Sequence, residues 1–413
     1  MTSTEELQRR TLRVLVATQV LSGAGLAAGI TVGALLAQEM LGSTGLAGLP
    51  SALFTAGSAV TAVAVGRISQ SCGRRPGLAT GYAVGSLGSA GVVLAAVVDS
   101  PVLLFFALFL YGAGSATNLQ ARYAGADLAD PGHRARAIST VLVATTLGGV
   151  AGPMVASPSG QLAHHVGVPH LAGPFLLSTV AYAAGAVVLA TWLRPDPLLH
   201  AREVEAGRVA ATAATPGAVP EPGPHEVGHG VAVGAVVMVL TQIVMVAIMT
   251  MTPVHMQEHG HGTGASGFVI GLHVAAMFLP SPLTGRLVDR VGRTRMAVAS
   301  AVTLLMAGAL AAWAPGDSVG LLAVALVLLG LGWNFGLVAG TAIITDAVPL
   351  ATRARTQGLV DVSIAIAGAG GSLASGFVVD VSSYSALSLA GGMLAVAIIP
   401  ATVASSTARS RSA

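Results

Sequence analysis

The amino-acid sequence predicts an all-α membrane protein with twelve transmembrane helices in two six-helix pseudo-repeats. The first reason is composition: 54% of the 413 residues are hydrophobic and only 9% are charged, whereas about a quarter of a soluble globular chain is charged. The second is the mean hydropathy of +0.78, because such an excess of apolar side chains must face lipid. The third is that the apolar runs are about 20 residues long without strand-like alternation, which argues against a β-barrel.

Twelve apolar runs are each long enough to cross a bilayer as a helix, which takes about 20 residues. The first run follows three arginines but is too long for the apolar region of a signal peptide, so we expect a retained transmembrane helix. The predicted helices begin near Val14, Leu46, Gly77, Val102, Ala137, Gly173, Val231, Gly267, Met296, Gly320, Thr356 and Ser385.

Arginine placement predicts the orientation of these helices. The chain contains no lysine, and its 20 arginines lie before helix 1, in or flanking every second loop and in the C-terminal tail. The remaining loops carry acidic residues and histidines instead of arginines. Because lysine and arginine accumulate in cytoplasmic loops, both termini are predicted to be cytoplasmic.

A change of composition divides the chain into two parts. Between Arg194 and His229 the apolar runs give way to proline, alanine, glycine and charged residues, which is typical of a flexible polar linker. The sequence therefore predicts an N-terminal six-helix bundle over residues 1–193, a cytoplasmic linker over 194–229 and a C-terminal six-helix bundle over 230–413.

A loop motif occurs once in each half, at a shift of 219 positions (285 minus 66). Its glycines permit close helix approach, and a carboxylate among arginines can pair with them or with a helix N-terminus. We expect this motif to act as a conformational latch. The second copy carries the negative charge of Asp289, whereas the first copy has the uncharged Gln70 at the equivalent position. The alternative is that these arginines only fix the topology. The latch residues are Gly66, Gly73, Arg74, Gly285, Asp289, Gly292 and Arg293. A six-helix duplication of this kind is the plan of a rocking transporter.

Sulfur and imidazole side chains occur on two predicted helices of the second half. Met245 and Met249 on helix 7, and His273 and Met277 on helix 8, are spaced i, i+4, so each pair shares a helix face. Helix rise places Met245 and His273 at the same depth, about 10 Å below the outer surface. Thioether and imidazole ligands without a carboxylate or thiolate favour Cu(I). Equally, methionine fills gaps in apolar cores, and a buried histidine is often a packing residue or a proton relay.

The loop after helix 7 is predicted to collect metal outside the membrane. This loop contains several methionines and histidines next to the proposed pathway. The alternative interpretation is a solvated loop whose histidines occur there by chance. The residues concerned are Met251, His255, Met256, His259 and His261. By contrast, membrane carboxylates are expected only near helix ends, at Glu39, Asp127, Asp346 and Asp361.

The loop pattern G-x-x-x-D-x-x-G-R, intact from Gly285 to Arg293, resembles that of the major facilitator superfamily, and the resemblance covers essentially the whole chain. The M-x-x-x-M motif of helix 7 and the H-x-x-x-M motif of helix 8 resemble the CcoA-like bacterial copper importers of that superfamily. The stretch from Gln120 to Tyr123 that leads to Asp127 is similar to the same group. One departure is that cysteines contribute to transport in those proteins, whereas this chain has only Cys72.

The resemblance implies a secondary transporter, not an enzyme, that imports copper by alternating access across the bacterial cytoplasmic (inner) membrane. The metal ligands are then Met245, Met249, His273 and Met277. Copper is the transported substrate, and no cofactor is needed. The expected partners are copper, the lipid bilayer and a cytoplasmic copper recipient. We expect a monomer, and the net charge of +3 argues against a nucleic-acid partner. The alternatives are a proton-coupled multidrug or small-metabolite exporter and a transporter-like sensor that docks through the linker.

Overall fold

The computed structural model describes residues 4–41, 49–165, 167–213 and 224–402. Fourteen α-helices and one short 3-10 helix at His170–Ala172 make up the regular structure of these residues. The α-helices are α1 (Thr4–Leu41), α2 (Leu49–Cys72), α3 (Arg74–Val97), α4 (Pro101–Ala126), α5 (Arg134–His165), α6 (Gly173–Trp192), α7 (Pro197–Ala213), α8 (Pro224–Glu258), α9 (Thr263–Phe278), α10 (Ser281–Val291), α11 (Arg293–Trp313), α12 (Val319–Ala347), α13 (Arg353–Val381) and α14 (Tyr384–Val396).

The predicted all-α membrane fold is confirmed. Within the described ranges, ten helical stretches are long and apolar enough to cross a membrane. They coincide with predicted helices 2 to 4 and 6 to 12, with helix 8 divided into α9 and α10. Predicted helices 1 and 5 correspond to α1 and α5, which are 38 and 32 residues long. The predicted count of twelve is consistent with these elements.

Short sequence signals set several helix ends. The hydroxyls of Ser100, Ser318 and Ser383 each accept a hydrogen bond from the backbone N–H three residues later, which caps α4, α12 and α14. Gly73 separates α2 from α3 with a φ of 98°, and Gly292 separates α10 from α11 with a φ of 105°. Glycine adopts such angles without strain, so the two copies of the loop motif turn in the same way.

The predicted flexible linker is wrong for residues 197–213, which form helix α7. This stretch is rich in alanine, leucine, glutamate and arginine, which favour helix. Asp196 begins the helix by accepting hydrogen bonds from the backbone N–H groups of Leu198 and Leu199, at 3.0 and 3.2 Å. The proline-rich part of the predicted linker, residues 214–223, lies outside the described residues.

The chain divides into two compact units. The first comprises Met1–Asp130, Thr140–Glu221 and Pro349–Ala365, and the second comprises Pro131–Ser139, Pro222–Val348 and Ile366–Ala413. The first unit therefore includes the start of α13, and the second includes the start of α5. The core of the first unit is aromatic: Tyr82 stacks on Tyr182 with ring centroids 5.7 Å apart, and Tyr111 meets Phe175 edge-on at 5.3 Å.

Candidate functional site

His273 lies on the face of α9 that packs against α12. Its side chain is fully buried, and its Nδ1 is 2.8 Å from the backbone oxygen of Leu326. A Cβ on Gly330 would lie 2.5 Å from the backbone oxygen of His273, so glycine at this position of α12 is what allows α9 to approach so closely.

The hydrogen bond of His273 determines the state of its ring. A carbonyl oxygen only accepts hydrogen bonds, so Nδ1 must carry a proton, and in the neutral ring Nε2 is left with a free lone pair. Among the described residues Nε2 has no hydrogen-bond partner, although it is buried. The lone pair is therefore free to accept a hydrogen bond or to bind a metal, with the carbonyl of Leu326 fixing the ring orientation.

Met245 of α8 is also directed towards α12. Met245 is 4% exposed, and Thr241, one turn earlier, packs against Gly336 of α12. Because residues four apart share a helix face, Met245 points towards the same neighbour. Met277 is 8% exposed, whereas Met249 is only partly buried. The structure thus directs His273, Met277 and Met245 towards one helix, α12.

Trp333 of α12 contacts both α8 and α9. Its Nε1 donates a hydrogen bond to Oε1 of Gln242 at 2.8 Å, and its ring meets Phe278 edge-on with centroids 5.6 Å apart. The indole is 6% exposed, whereas Gln242 is partly exposed. Gln242 precedes Met245 by three residues, and Phe278 follows Met277 in the sequence. This aromatic and amide cluster was not predicted from the sequence, although tryptophan, with three copies in the chain, is a residue type that could have indicated it.

Asn334 has a structural role next to this cluster. Its Nδ2 donates to the backbone oxygen of Met277 and to the hydroxyl of Ser281, both at 2.7 Å, and Thr284 donates to its Oδ1 at 2.6 Å. These bonds hold the break between α9 and α10 in place, and they leave Asn334 engaged with the protein itself.

The predicted metal-collecting segment brings together two of its three histidines, His255 and His259, but not His261. The rings of His255 and His259 are 4.3 Å apart, and His255 stacks on Tyr384. His261 instead bonds through Nε2 to the backbone oxygen of Gly316 at 2.9 Å, while Met256 is buried and Met251 is partly buried. In the described part of the chain, no group of three or more His, Cys, Asp or Glu side chains is placed to hold a metal ion.

The second copy of the loop motif holds the start of α5. The carboxylate of Asp289 accepts hydrogen bonds from the backbone N–H groups of Ala135 and Arg136 at 3.1 and 3.0 Å. This contact satisfies free donors at a helix N-terminus and complements the helix dipole. Gly285 lies against the same turn, where a Cβ would be 2.7 Å from the oxygen of Ala135. Arg293 pairs with Asp346 at 2.8 Å.

The first copy makes the equivalent contacts with the start of α13. Oε1 of Gln70 accepts hydrogen bonds from the backbone N–H groups of Ala354 and Arg355, at 2.9 and 3.3 Å. Gly66 packs against the oxygen of Ala354, and Arg74 pairs with Asp127 at 2.7 Å. Each partner lies 219 positions from its counterpart (354 minus 135). The absence of charge at Gln70 therefore does not remove the contact, because its amide oxygen accepts the same two hydrogen bonds.

Of the carboxylates predicted near helix ends, Asp361 lies furthest from the end of its helix. This residue follows Arg353, the first residue of α13, by eight positions, which is about 12 Å of helix rise. It is 4% exposed and forms a 2.7 Å ion pair with Arg122 of α4. In the sequence, this pair could have been suspected because one apolar run contains an acidic residue and another contains an arginine. Asp127 and Asp346 do lie at the ends of α4 and α12.

Comparison with known proteins identifies the family of this fold. A family model described as Major Facilitator Superfamily matches residues 15–334 and 234–412. The uncharacterized MFS-type transporter YdeG of Bacillus subtilis is 57% identical over 407 residues, which are 97% of this chain and 92% of YdeG. The riboflavin transporter RfnT of Brucella anthropi is 30% identical over 362 residues, which are 86% of this chain and 85% of RfnT.

Solved structures agree on the fold. The human organic anion transporter MFSD10 (TETRAN) superimposes with a TM-score of 0.74 at 15% identity, over 96% of this chain and 99% of MFSD10. None of these three proteins is described as a copper importer, so the narrower resemblance gains no support from them. Fold and sequence together give the broader assignment: the chain belongs to the major facilitator superfamily, as a multi-pass membrane protein of the secondary-transporter class.

Proposed function

We propose that the protein transports a small organic solute with a planar heteroaromatic ring, which binds beside Trp333. The observation that carries this proposal is the cluster of Trp333, Gln242 and Phe278 in the second unit. Gln242 and Phe278 fix the indole from two sides, which gives a rigid aromatic surface at low entropic cost. Because Oε1 of Gln242 is engaged by the indole, its Nε2 group is the donor available to a solute.

The chemistry of such a surface fits planar solutes better than sugars or ions. Offset or edge-on contacts between aromatic rings contribute about 0.5–1.5 kcal/mol beyond the buried area, and one well-placed amide fixes the orientation of a ligand in a mostly apolar site. The relative RfnT is described as a riboflavin transporter, and riboflavin carries a planar heteroaromatic ring. That relationship supports the class of solute, and it does not specify the compound.

The ligand class is tested by thermal unfolding of the purified protein with riboflavin, a purine nucleoside, xylose or Cu(I). A ligand that binds only the folded state raises its stability by about 2.7 kcal/mol at a hundredfold excess over Kd, so at least one heteroaromatic solute should raise the Tm. Trp333→Leu should abolish that rise. Trp313→Leu is the matched control, because Trp313 lies on α11 and is 74% exposed. A rise that survives Trp333→Leu, or that only xylose produces, would contradict the proposal.

Copper import by alternating access is the second candidate function, favoured by the buried, unpartnered Nε2 of His273. Met277 lies one turn further along the same face of α9, and Met245 faces the same helix α12. In this case Cu(I) should raise the Tm, and Met277→Leu should remove the effect, since it deletes a soft ligand while conserving volume. Trp333→Leu should leave the copper response in place, which separates this candidate from the first.

A further inference from the structure

The exposed face of the short helix α10 differs in chemistry from its buried face. The buried residues are small or apolar: Ser281, Thr284, Gly285 and Val288. Leu283, Arg286 and Arg290 are exposed, and their i, i+3, i+7 spacing places them together on another face. An apolar side chain is thus followed by two guanidinium groups along one stripe that points away from the protein.

The position of α10 in its membrane span places this stripe at the boundary between acyl chains and headgroups. The span runs over Gly264–Val291, 28 residues, or about 42 Å of helix rise, whereas the hydrocarbon core is about 30 Å thick. Because arginine is costly in the hydrocarbon core, the excess length includes the last turns of α10. Leu279 and Leu283, which are 55% and 60% exposed, come before the two arginines in that direction. Acyl chains therefore meet the leucines, and headgroups meet the arginines.

The two arginines have no carboxylate to neutralise them. Within the described ranges, neither Arg286 nor Arg290 forms an ion pair. Asp289, which lies between them in sequence, instead accepts hydrogen bonds from the start of α5. Arg295 adds a third guanidinium, because its Nη1 donates to the backbone oxygen of Val291, the last residue of α10, at 3.4 Å. This end of α10 is therefore a cluster of positive charge that is open to an anion from outside the protein.

The alternative explanation is that these arginines only fix the orientation of the helices, as basic loop residues do. That role requires basic residues in the loop, but it does not require them to share a face with exposed leucines. The first half provides an internal control: at the shift of 219 positions, Arg286 corresponds to the exposed Arg67 (286 minus 67), whereas Arg290 corresponds to Ser71 (290 minus 71). The loop motif therefore does not require the second arginine.

We propose that the exposed face of α10 binds an anionic phospholipid. The phosphate accepts hydrogen bonds from Arg286 and Arg290, and an acyl chain lies along Leu279 and Leu283. The planar guanidinium group matches phosphate oxygens in pairs, and basic residues next to a membrane helix attract anionic lipid. A zwitterionic lipid carries its own cation, so it leaves the positive charge of the cluster uncompensated. The site lies on the helix that holds the start of α5 through Asp289, and it depends on neither proposed cargo.

Native mass spectrometry of the full chain, purified in detergent and without cargo, tests the site. The probes are phosphatidylglycerol and phosphatidylcholine with the same acyl chains. Each arginine next to an anionic lipid contributes a gain in affinity of about fivefold. The parent protein should therefore bind phosphatidylglycerol roughly twentyfold more tightly than phosphatidylcholine, on the basis of two such arginines.

Substitutions at the two arginines assign that preference to α10. Arg286→Gln combined with Arg290→Gln should bind the two lipids equally. Arg67→Gln is the matched control, because it removes an exposed arginine at the equivalent position of the first copy and should keep the full preference. If the double variant does not fold, each single variant should still lower the preference by about fivefold.

Three results overturn the proposal. The first is a parent protein that binds both lipids equally, and the second is a preference that stays unchanged in the Arg286 and Arg290 variants. The third is an equal loss in Arg67→Gln, which would assign the preference to the overall charge of that side of the protein. Glycerol 3-phosphate, which lacks acyl chains, should not displace phosphatidylglycerol at equal concentration; displacement would assign the site to a soluble anion and reject the lipid. Since no cargo is added, these outcomes are independent of the tests of the proposed function.

Discussion

Replacing Asp127 by asparagine should lower the free energy of unfolding by about 3 kcal/mol or more, the usual consequence of breaking a buried ion pair from one side. The guanidinium of Arg74 and the carboxylate of Asp127 are both fully buried, 2.7 Å apart. The substitution leaves the positive charge of Arg74 in the interior without its counter-ion. Thermal unfolding of the purified protein measures the loss.

Asp346→Asn is the matched control, because Asp346 pairs with Arg293 at the equivalent position of the second copy. There the side chains are 23% and 31% exposed, and partly exposed pairs contribute about 1 kcal/mol or less. The Asp346 variant should therefore unfold close to the parent. If both variants lost the same free energy of unfolding, burial would not explain a difference in stability between the two ion pairs.

Replacing Asp289 by alanine should slow transport roughly tenfold, because it removes both acceptors that hold the start of α5. A latch of this kind acts on the equilibrium between states, where a change of about 1.4 kcal/mol is a factor of ten. Its contacts are the hydrogen bonds from Ala135 and Arg136, far in sequence from Trp333 and His273. Ligand binding by the purified variant should consequently stay near that of the parent, while the accessibility of labelled positions at the two mouths of the transporter changes.

Asp289→Gln separates the two explanations of this effect. If the latch works by accepting backbone hydrogen bonds, glutamine should largely restore transport, because Gln70 makes the same two contacts in the first copy. If the negative charge among the arginines is what matters, Asp289→Gln should be as slow as Asp289→Ala. That second result would reject the capping role and leave only an electrostatic one.

The sequence was sufficient for features that depend on local pattern. Apolar run length predicted the membrane helices, and the 219-position repeat predicted that Gly73 and Gly292 are equivalent, as their positive φ angles bear out. The helix in the linker was missed because the prolines after it dominated the composition of the whole segment, whereas the residues of α7 favour helix by themselves.

Features that depend on the neighbour of a helix face could not be predicted. The i, i+4 spacing places His273 and Met277 on one face of α9, but it does not say that this face packs on α12, where His273 meets the backbone of Leu326. The depth of Asp361 likewise follows from where α13 begins, and its partner Arg122 is 239 positions away. A local sequence pattern shows neither which helix packs against α9 nor which residue pairs with Asp361.

Exchange of labelled riboflavin by proteoliposomes is the most direct measurement of the proposed function, with riboflavin as the heteroaromatic probe. Vesicles that contain the parent or Trp313→Leu should exchange riboflavin faster than empty vesicles, and Trp333→Leu should be about tenfold slower, a difference of about 1.4 kcal/mol in barrier. The contrary result is absence of riboflavin exchange together with Cu(I) accumulation that Met277→Leu reduces and Trp333→Leu does not. It would assign the transporter to copper and reject an organic cargo at Trp333.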